Sequence, residues 1–277
     1  VEGTHMKALL RLILAFSFIV FSQASFGETK KVKSMREVLE IFEQFKGEIL
    51  GVFDIDMVLI QTTMPAYQMP NMKKYKTLFK ELLQPLTPLE KDLTLNLTIN
   101  SAPIMLVDSH TPRIINEIFK ITPKIITLTG SLSGSLGTIP DMTRLRYEQL
   151  KSVGLDFSKS FPELQTLKFT KISPYRGNHP EYYHGIFSAN GDKKGLALVE
   201  FLKTTNYMPK TIIFIDDQEK NIVNVSSALK RFNRKIHFVG IIYKGAENFP
   251  AKVISENTFK KAWTLKIKQA KLLGSDI

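Results

Sequence analysis

Apolar residues recur along this chain with two different periods, and their alternation lays out a fold before any single residue is weighed. Ser34-Met35-Arg36-Glu37 reads as a capping box, and Met35, Val38, Leu39, Phe42 and Phe45 follow at helical spacing. The pattern predicts a helix over 35–46 that gives way at Gly47. Continuous apolar runs then predict strands at 49–55, Lys124–Leu128, Thr211–Ile215 and Lys235–Tyr243. Helical patterns lie between them. One opens at Thr111-Pro112 with Ile114, Ile115 and Ile118 as its apolar face, and others cover Leu196–Leu202 and Ile222–Leu229. Short strands that are apolar throughout, alternating with helices, predict an α/β fold with a Rossmann-like parallel sheet covered on both faces.

In such sheets ligands bind beyond the carboxyl ends of the strands. The first strand, within GVFDIDMVLI, ends in Asp54 and Asp56, whose side chains point to the same side at i and i+2. The second ends at Thr129 and the third at Asp216-Asp217. Four carboxylates crowded on one edge repel each other unless a cation neutralises them. An all-oxygen donor set of this kind suits Mg²⁺, with water and a substrate phosphate completing the octahedron.

The 277 residues, 43% hydrophobic and 23% charged, suffice for one large domain or a domain with an insertion. There is no cysteine, which excludes thiolate nucleophiles, cysteine-based zinc sites and disulfides. Residues 6–27 join Lys7 and Arg11 to an apolar stretch, Leu12–Phe21, and to the small residues Ser22, Ala24, Ser25 and Gly27. This is the layout of a bacterial secretory signal peptide, cleaved after Ala24 or Gly27, and it predicts a periplasmic or secreted protein with no integral membrane segment after processing. VEGTH, residues 1–5, precedes the natural-looking start at Met6, so 1–27 are set apart from a domain over 28–277. The net charge of +12 favours anionic partners, yet the basic residues spread from Lys30 to Lys271 without a dominant block, so nucleic acid is not favoured.

With these residues in view, the chain resembles the haloacid dehalogenase (HAD) superfamily, most of whose members are Mg²⁺-dependent phosphohydrolases. Four motifs occur in order: FDIDMVL, IITLT, the lysine-bearing helix start GDKKGLALVEFL, and IIFIDD. The resemblance covers about residues 35–243. It implies that Asp54 attacks phosphorus and forms an aspartyl-phosphate, while Asp56 protonates the leaving group and then activates water. Thr129 would bind a phosphoryl oxygen, with Thr127 as the competing hydroxyl. Lys194 would neutralise nucleophile and phosphate, with Lys193 as its competitor. The metal set implied is Asp54, Asp56 through its backbone carbonyl, Asp217, and Asp216 beside it. Asn221 stands where some relatives carry a further acid. His179 and His184 read as non-ligands. Met57-Val58 departs from the commoner pattern after the second aspartate, and Met57 bears on the turn that follows.

About seventy residues separate the first two motifs, more than one crossover requires, which predicts an inserted, mainly helical cap over about 60–120. Tyr67, Met69, Met72, Tyr75, Leu78 and Leu82 give it an apolar and aromatic character. Between Phe161 and Ser188, LQTLKFTKI and YYHGIFS predict a β-hairpin excursion. The expected activity is hydrolysis of a small phosphorylated substrate or a phosphoprotein. The rival from another class is a non-catalytic relative that binds anionic ligands; Asp54 and Asp56 favour the enzyme, since a binder needs neither nucleophile nor acid. Carbon–halogen hydrolysis is a third reading, and it has no need of Asp56.

Overall fold

The order of the central sheet follows from which strands are apolar on both faces. A computed structural model describes residues 27–100, 103–191 and 194–275. Its strands are β1 (Gly27–Val32), β2 (Ile49–Phe53), β3 (Ile60–Thr62), β4 (Ile104–Leu106), β5 (Ile125–Thr129), β6 (Thr166–Lys168), β7 (Glu181–Tyr183), β8 (Ile186–Ser188), β9 (Thr211–Asp216) and β10 (His237–Tyr243). Eight of them form one sheet in the order β1-β10-β9-β2-β5-β8-β7-β6, and the first six run parallel. The fully buried strands β2, β5 and β9 take its centre. The charged GETKKV strand takes one edge, where lysines discourage further pairing. Gly27, assigned from sequence to the leader, is the first residue of that strand and pairs with Phe238. The rest of the leader lies outside the described residues, and no helix among the described residues is long and apolar enough to cross a membrane.

Helices cover both faces, as the sequence predicts. On one side α1 (Met35–Phe42) and α5 (Thr111–Ile121) pack Val38, Phe42, Ile114 and Ile118 against Ile49, Phe53 and Ile213. On the other, α7 (Lys194–Thr205) and α8 (Glu219–Phe232) pack Leu198, Phe201 and Val225 against Leu50, Val52 and Phe214. The alternation of Ile49 and Phe53 with Leu50 and Val52 is the period-2 signature of a strand buried twice. α1 stops at Phe42 rather than 46, and its Ser34 cap accepts the Glu37 N–H as the capping box requires.

The stretch expected as the insertion divides in two. Its last helix, α5, belongs to the sheet's own covering layer. The remainder rises from the antiparallel ribbon β3–β4 as a 3₁₀ turn at Pro65–Tyr67 and helices α2 (Met69–Lys74), α3 (Lys76–Leu83) and α4 (Pro88–Asn100). These join a helix the sequence reading did not place, α9 (Glu256–Ser275), whose Phe259 and Trp263 pack with Tyr67, Tyr75 and Phe79. The hairpin region also differs. YYHGIFS is not one strand but two, β7 and β8, because His184 and Gly185 both adopt positive φ, 46° and 90°, in the pairing of a tight hairpin turn. β8 then joins β5 in parallel, and β6 lies on the outer edge. α6 (Met142–Ser152) links β5 to this excursion.

Candidate active site

Three neighbouring strand ends build the site. β2 lies between β9 and β5, and the register that pairs Phe53 with Ile215 and Thr127 sets Asp54 level with Asp216 and brings Thr129 to the same edge. The Asp54 N–H donates to the Ile215 carbonyl at 2.8 Å, so the sheet's hydrogen bonding extends to the aspartate itself. Beyond it, Met57 turns the chain with φ +62°, and its N–H donates to the Ile60 carbonyl.

Lys194, the first residue of α7, places Nζ 2.8 Å from Asp54 Oδ1 and 2.7 Å from Asp216 Oδ2, all three side chains buried. The helix reaches this depth because residue 195 is glycine. A Cβ there would stand 2.7 Å from the Asn224 carbonyl oxygen and 2.8 Å from the Ala228 Cβ of α8. The Gly195 N–H instead donates to the Asn224 side chain at 2.8 Å. Lys193 lies outside the described residues.

The three clustered acids, Asp54, Asp216 and Asp217, can bring carboxylate oxygens within 4.8 Å of one another, but they are not equivalent. Asp216 receives the Gln218 N–H and one Asn221 contact on Oδ1, at 2.9 Å each, and Lys194 and Asn221 on Oδ2, at 2.7 and 3.0 Å. A carboxylate offers about four lone-pair sites, so Asp216 is saturated and acts as the anchor for Lys194 and Asn221. Asp54 Oδ1 takes Lys194 and the Ile55 N–H, while Oδ2 has no hydrogen-bond partner among the described residues. Asp217 faces the cavity, and Lys244 from the end of β10 donates to its backbone carbonyl at 2.9 Å. Asp54 Oδ2 and the Asp217 carboxylate are thus the oxygens left for a cation. The Asp56 carboxylate instead pairs with Arg146 of α6, which also donates to Gln149 and Asn100 at 2.7 and 3.3 Å.

Crowding sets the electrostatics. Burial pushes the Asp54 carboxyl well above the usual carboxylate range; Lys194 opposes this, and Asp216, Asp217 and Asp56 add to it. Burial and then Asp216 push Asp217 up to about 7, against Lys194 and Lys244. Burial alone would lower the Lys194 ammonium's pKa, but the attraction of Asp54 and Asp216 outweighs it and holds the proton on. One lysine does not neutralise so many acids, and a hard divalent cation would complete the balance.

Asp54, Asp56, Lys194 and Asp217 floor a cavity of about 340 Å³ that also receives Thr129, Ser131 and Asn221. Thr129 Oγ1 accepts the Ser131 N–H at 3.1 Å and keeps its proton for a ligand. Thr127, the competing hydroxyl, turns away to the Gly185 carbonyl at 3.3 Å. His179 and His184 do not line the cavity; one meets the Ile172 carbonyl and the other stacks near Tyr147. Two site residues escaped the sequence reading. Ser131 Oγ is buried in a hydroxyl-rich loop without a hydrogen-bond partner among the described residues. Arg146 is buried, yet in TRLRYEQL nothing sets it apart from the exposed Arg144.

Fold and site together define an α/β protein whose mostly parallel sheet presents an acidic, oxygen-only cluster and a buried lysine at its carboxyl edge. The chain belongs to the DUF2608 family, described as a protein of unknown function, whose model matches residues 31–272 and so spans every residue of the site. It is similar to an uncharacterized protein of Rickettsia bellii (strain RML369-C), 22% identical over 241 residues that cover 86% of this chain and 82% of that one. A Rickettsia felis (strain URRWXCal2) protein is 26% identical over 234 residues, 78% of this chain and 77% of its own. One from Rickettsia typhi (strain ATCC VR-144 / Wilmington) is 29% identical over 148 residues, 53% of this chain and 50% of its own. No solved structure matches.

Proposed function

We propose that this protein is a Mg²⁺-dependent, HAD-like phosphatase that hydrolyses a phosphate ester through an aspartyl-phosphate on Asp54. One observation carries the reading: the buried Lys194 ammonium bridges Asp54 and Asp216, at 2.8 and 2.7 Å, beside Asp217 and Thr129 in one cavity. A site meant only to bind an anion gains nothing from carboxylates at its centre, whereas a nucleophilic carboxylate must be kept ionised against burial, and a lysine on one of its oxygens works in that direction.

The donor set fits the ion: Asp54 and Asp217 supply hard oxygens, and the Asp56 backbone carbonyl is the third expected donor. When bound, Mg²⁺ would neutralise phosphate charge and leave phosphorus open to attack. The Asp54 carboxylate attacks phosphorus and the ester P–O bond breaks. Asp56, oriented by Arg146 and partly open to solvent, relays a proton to the departing oxygen. It then takes a proton from water as that water attacks the acyl phosphate, which releases inorganic phosphate and restores Asp54. Thr129 and Lys194 hold phosphoryl oxygens throughout, and the helical layer of α2–α4 and α9 acts as the cap that excludes bulk water.

The test is phosphate release from aryl, alkyl, sugar and nucleotide phosphates with and without Mg²⁺. Turnover should require the ion, and Asp54→Asn should reduce it below ~1% of wild type while circular dichroism is unchanged. No turnover of any substrate would favour a non-catalytic anion-binding protein. Export belongs to the same proposal. Cleavage after Ala24 retains Gly27 in β1, whereas cleavage after Gly27 removes a paired residue, so N-terminal sequencing should find Ser25 first.

A further inference from the structure

The cavity is two-sided in its chemistry. Its floor, from the strand ends, is charged and polar; its upper wall, from the 3₁₀ turn, α2, α4 and α9, presents Tyr67, Met69, Met72, Leu95, Ile99 and Trp263. α4 carries two apolar stripes. Leu93 and Leu97 pack against Leu132, Leu136 and Ala270, which accounts for one. Leu95 and Ile99, one turn apart on another face, line the cavity, and Leu95 remains 41% exposed there.

Polar groups in the upper wall are already committed. The Tyr67 hydroxyl donates to the Ala262 carbonyl at 3.0 Å and the Trp263 indole N–H to the Ala66 carbonyl at 3.1 Å. The Thr98 hydroxyl donates to the Leu95 carbonyl at 2.6 Å. Asn96 donates to the Asp92 carbonyl and accepts the Leu132 N–H, and the Asp92 carboxylate takes the Tyr175 hydroxyl. A hydroxyl-rich leaving group would lose its water there and find few partners, so each unpaired group would weaken binding. An apolar one would find aromatic edges and three adaptable thioethers, counting Met57 from the floor side.

We infer that the substrate is a phosphate monoester with a compact apolar leaving group, an aryl or short alkyl phosphate, seated against Leu95, Ile99 and Trp263. The inference rests on the phosphatase reading for the chemistry, but the subsite stands on its own geometry. Trp263 is the single tryptophan of the chain, so its emission reports occupancy without turnover. The experiment titrates Mg²⁺-loaded protein with phenylphosphonate and with methylphosphonate, which share a head group and differ in the apolar part. Phenylphosphonate should bind at least ~10-fold more tightly. Leu95→Asn and Ile99→Asn, on the cavity face, should reduce that preference several-fold and leave methylphosphonate affinity unchanged. Equal affinities, or no response of Trp263 to either compound at millimolar concentration, would overturn the inference. Hydrolysis of phenyl phosphate separates it from the reading beneath it. Preference without Asp54-dependent turnover leaves the subsite standing and removes the catalytic proposal, whereas turnover without preference removes the subsite alone.

Discussion

Arg146 and Asp56 form an ion pair in which the guanidinium side chain has no exposure to solvent and the carboxylate is 20% exposed. The arginine has no other carboxylate partner among the described residues, so the aspartate that the proposed chemistry needs is also the counter-ion of a buried charge. Asp56→Ala should therefore lose more than turnover. Stranding a buried charge costs about 3 kcal/mol or more, and urea unfolding should register a loss of that order. Asp56→Ala combined with Arg146→Met should recover much of the stability and none of the activity. A double variant no more stable than the single one would refute the pairing as the cause.

The metal-free protein should lose stability from its acid cluster as pH rises. Unfolded, Asp217 titrates at 3.8; folded, at about 7. Between those values the native state holds a proton that the unfolded state has released, so this group's contribution to stability falls through the window. Asp54, raised in the same direction, adds to the trend. In EDTA, Asp217→Asn should decline less steeply than wild type between pH 4.5 and pH 7. Parallel curves would place the raised carboxyl elsewhere.

Millimolar Mg²⁺ should reverse that loss at neutral pH. Binding only to the folded state adds RT ln(1 + [L]/Kd), about 2.7 kcal/mol at a hundredfold excess over Kd, and the melting temperature should rise accordingly. Asp217→Ala should remove most of the rise, because its carboxylate faces the cavity. Asp56→Ala should keep most of it, since there the proposed donor is the backbone carbonyl. The same shortfall in both variants would contradict this division of labour.

Gly195→Ala changes no group in the cavity, yet it should damage the site. The added methyl would meet α8 at 2.7–2.8 Å and force the start of α7 outward, taking Lys194 from its two carboxylates. Overpacking of this kind costs about 1–3 kcal/mol. Turnover should fall more than tenfold, which a stopped assay at constant folded fraction would measure. Wild-type activity would mean that the helix start tolerates displacement.

The parts of the fold that the sequence predicts are those decided locally. β2, β5 and β9 are apolar on both faces, and their polar ends, Asp54, Thr129 and Asp216, mark the ligand edge without knowledge of strand order. Arg146 is decided by a partner 90 residues away, and Trp263 by a carbonyl 197 residues away. Neither leaves a local trace: one looks like a surface arginine, the other like the apolar side of any late helix. The three-strand excursion reads in sequence as a two-strand hairpin because the His184-Gly185 turn depends on two residues of positive φ inside a seemingly continuous β run. Asp216 is a subtler case, since adjacent aspartates look alike in sequence and only the saturation of one by Lys194, Asn221 and Gln218 tells anchor from open ligand.

The pocket's upper wall is drawn from two distant stretches, Pro65–Asn100 and Glu256–Ser275, and this has a bearing on biosynthesis. Every residue of the acidic floor has been made by Asn221, some thirty-five residues before α9 begins. A nascent chain can thus assemble the charged floor while the side that receives Phe259 and Trp263 is still bare. For a chain threaded through a membrane in an extended state, the order of emergence would be the same. The pocket's upper wall is therefore completed only once α9 has been made.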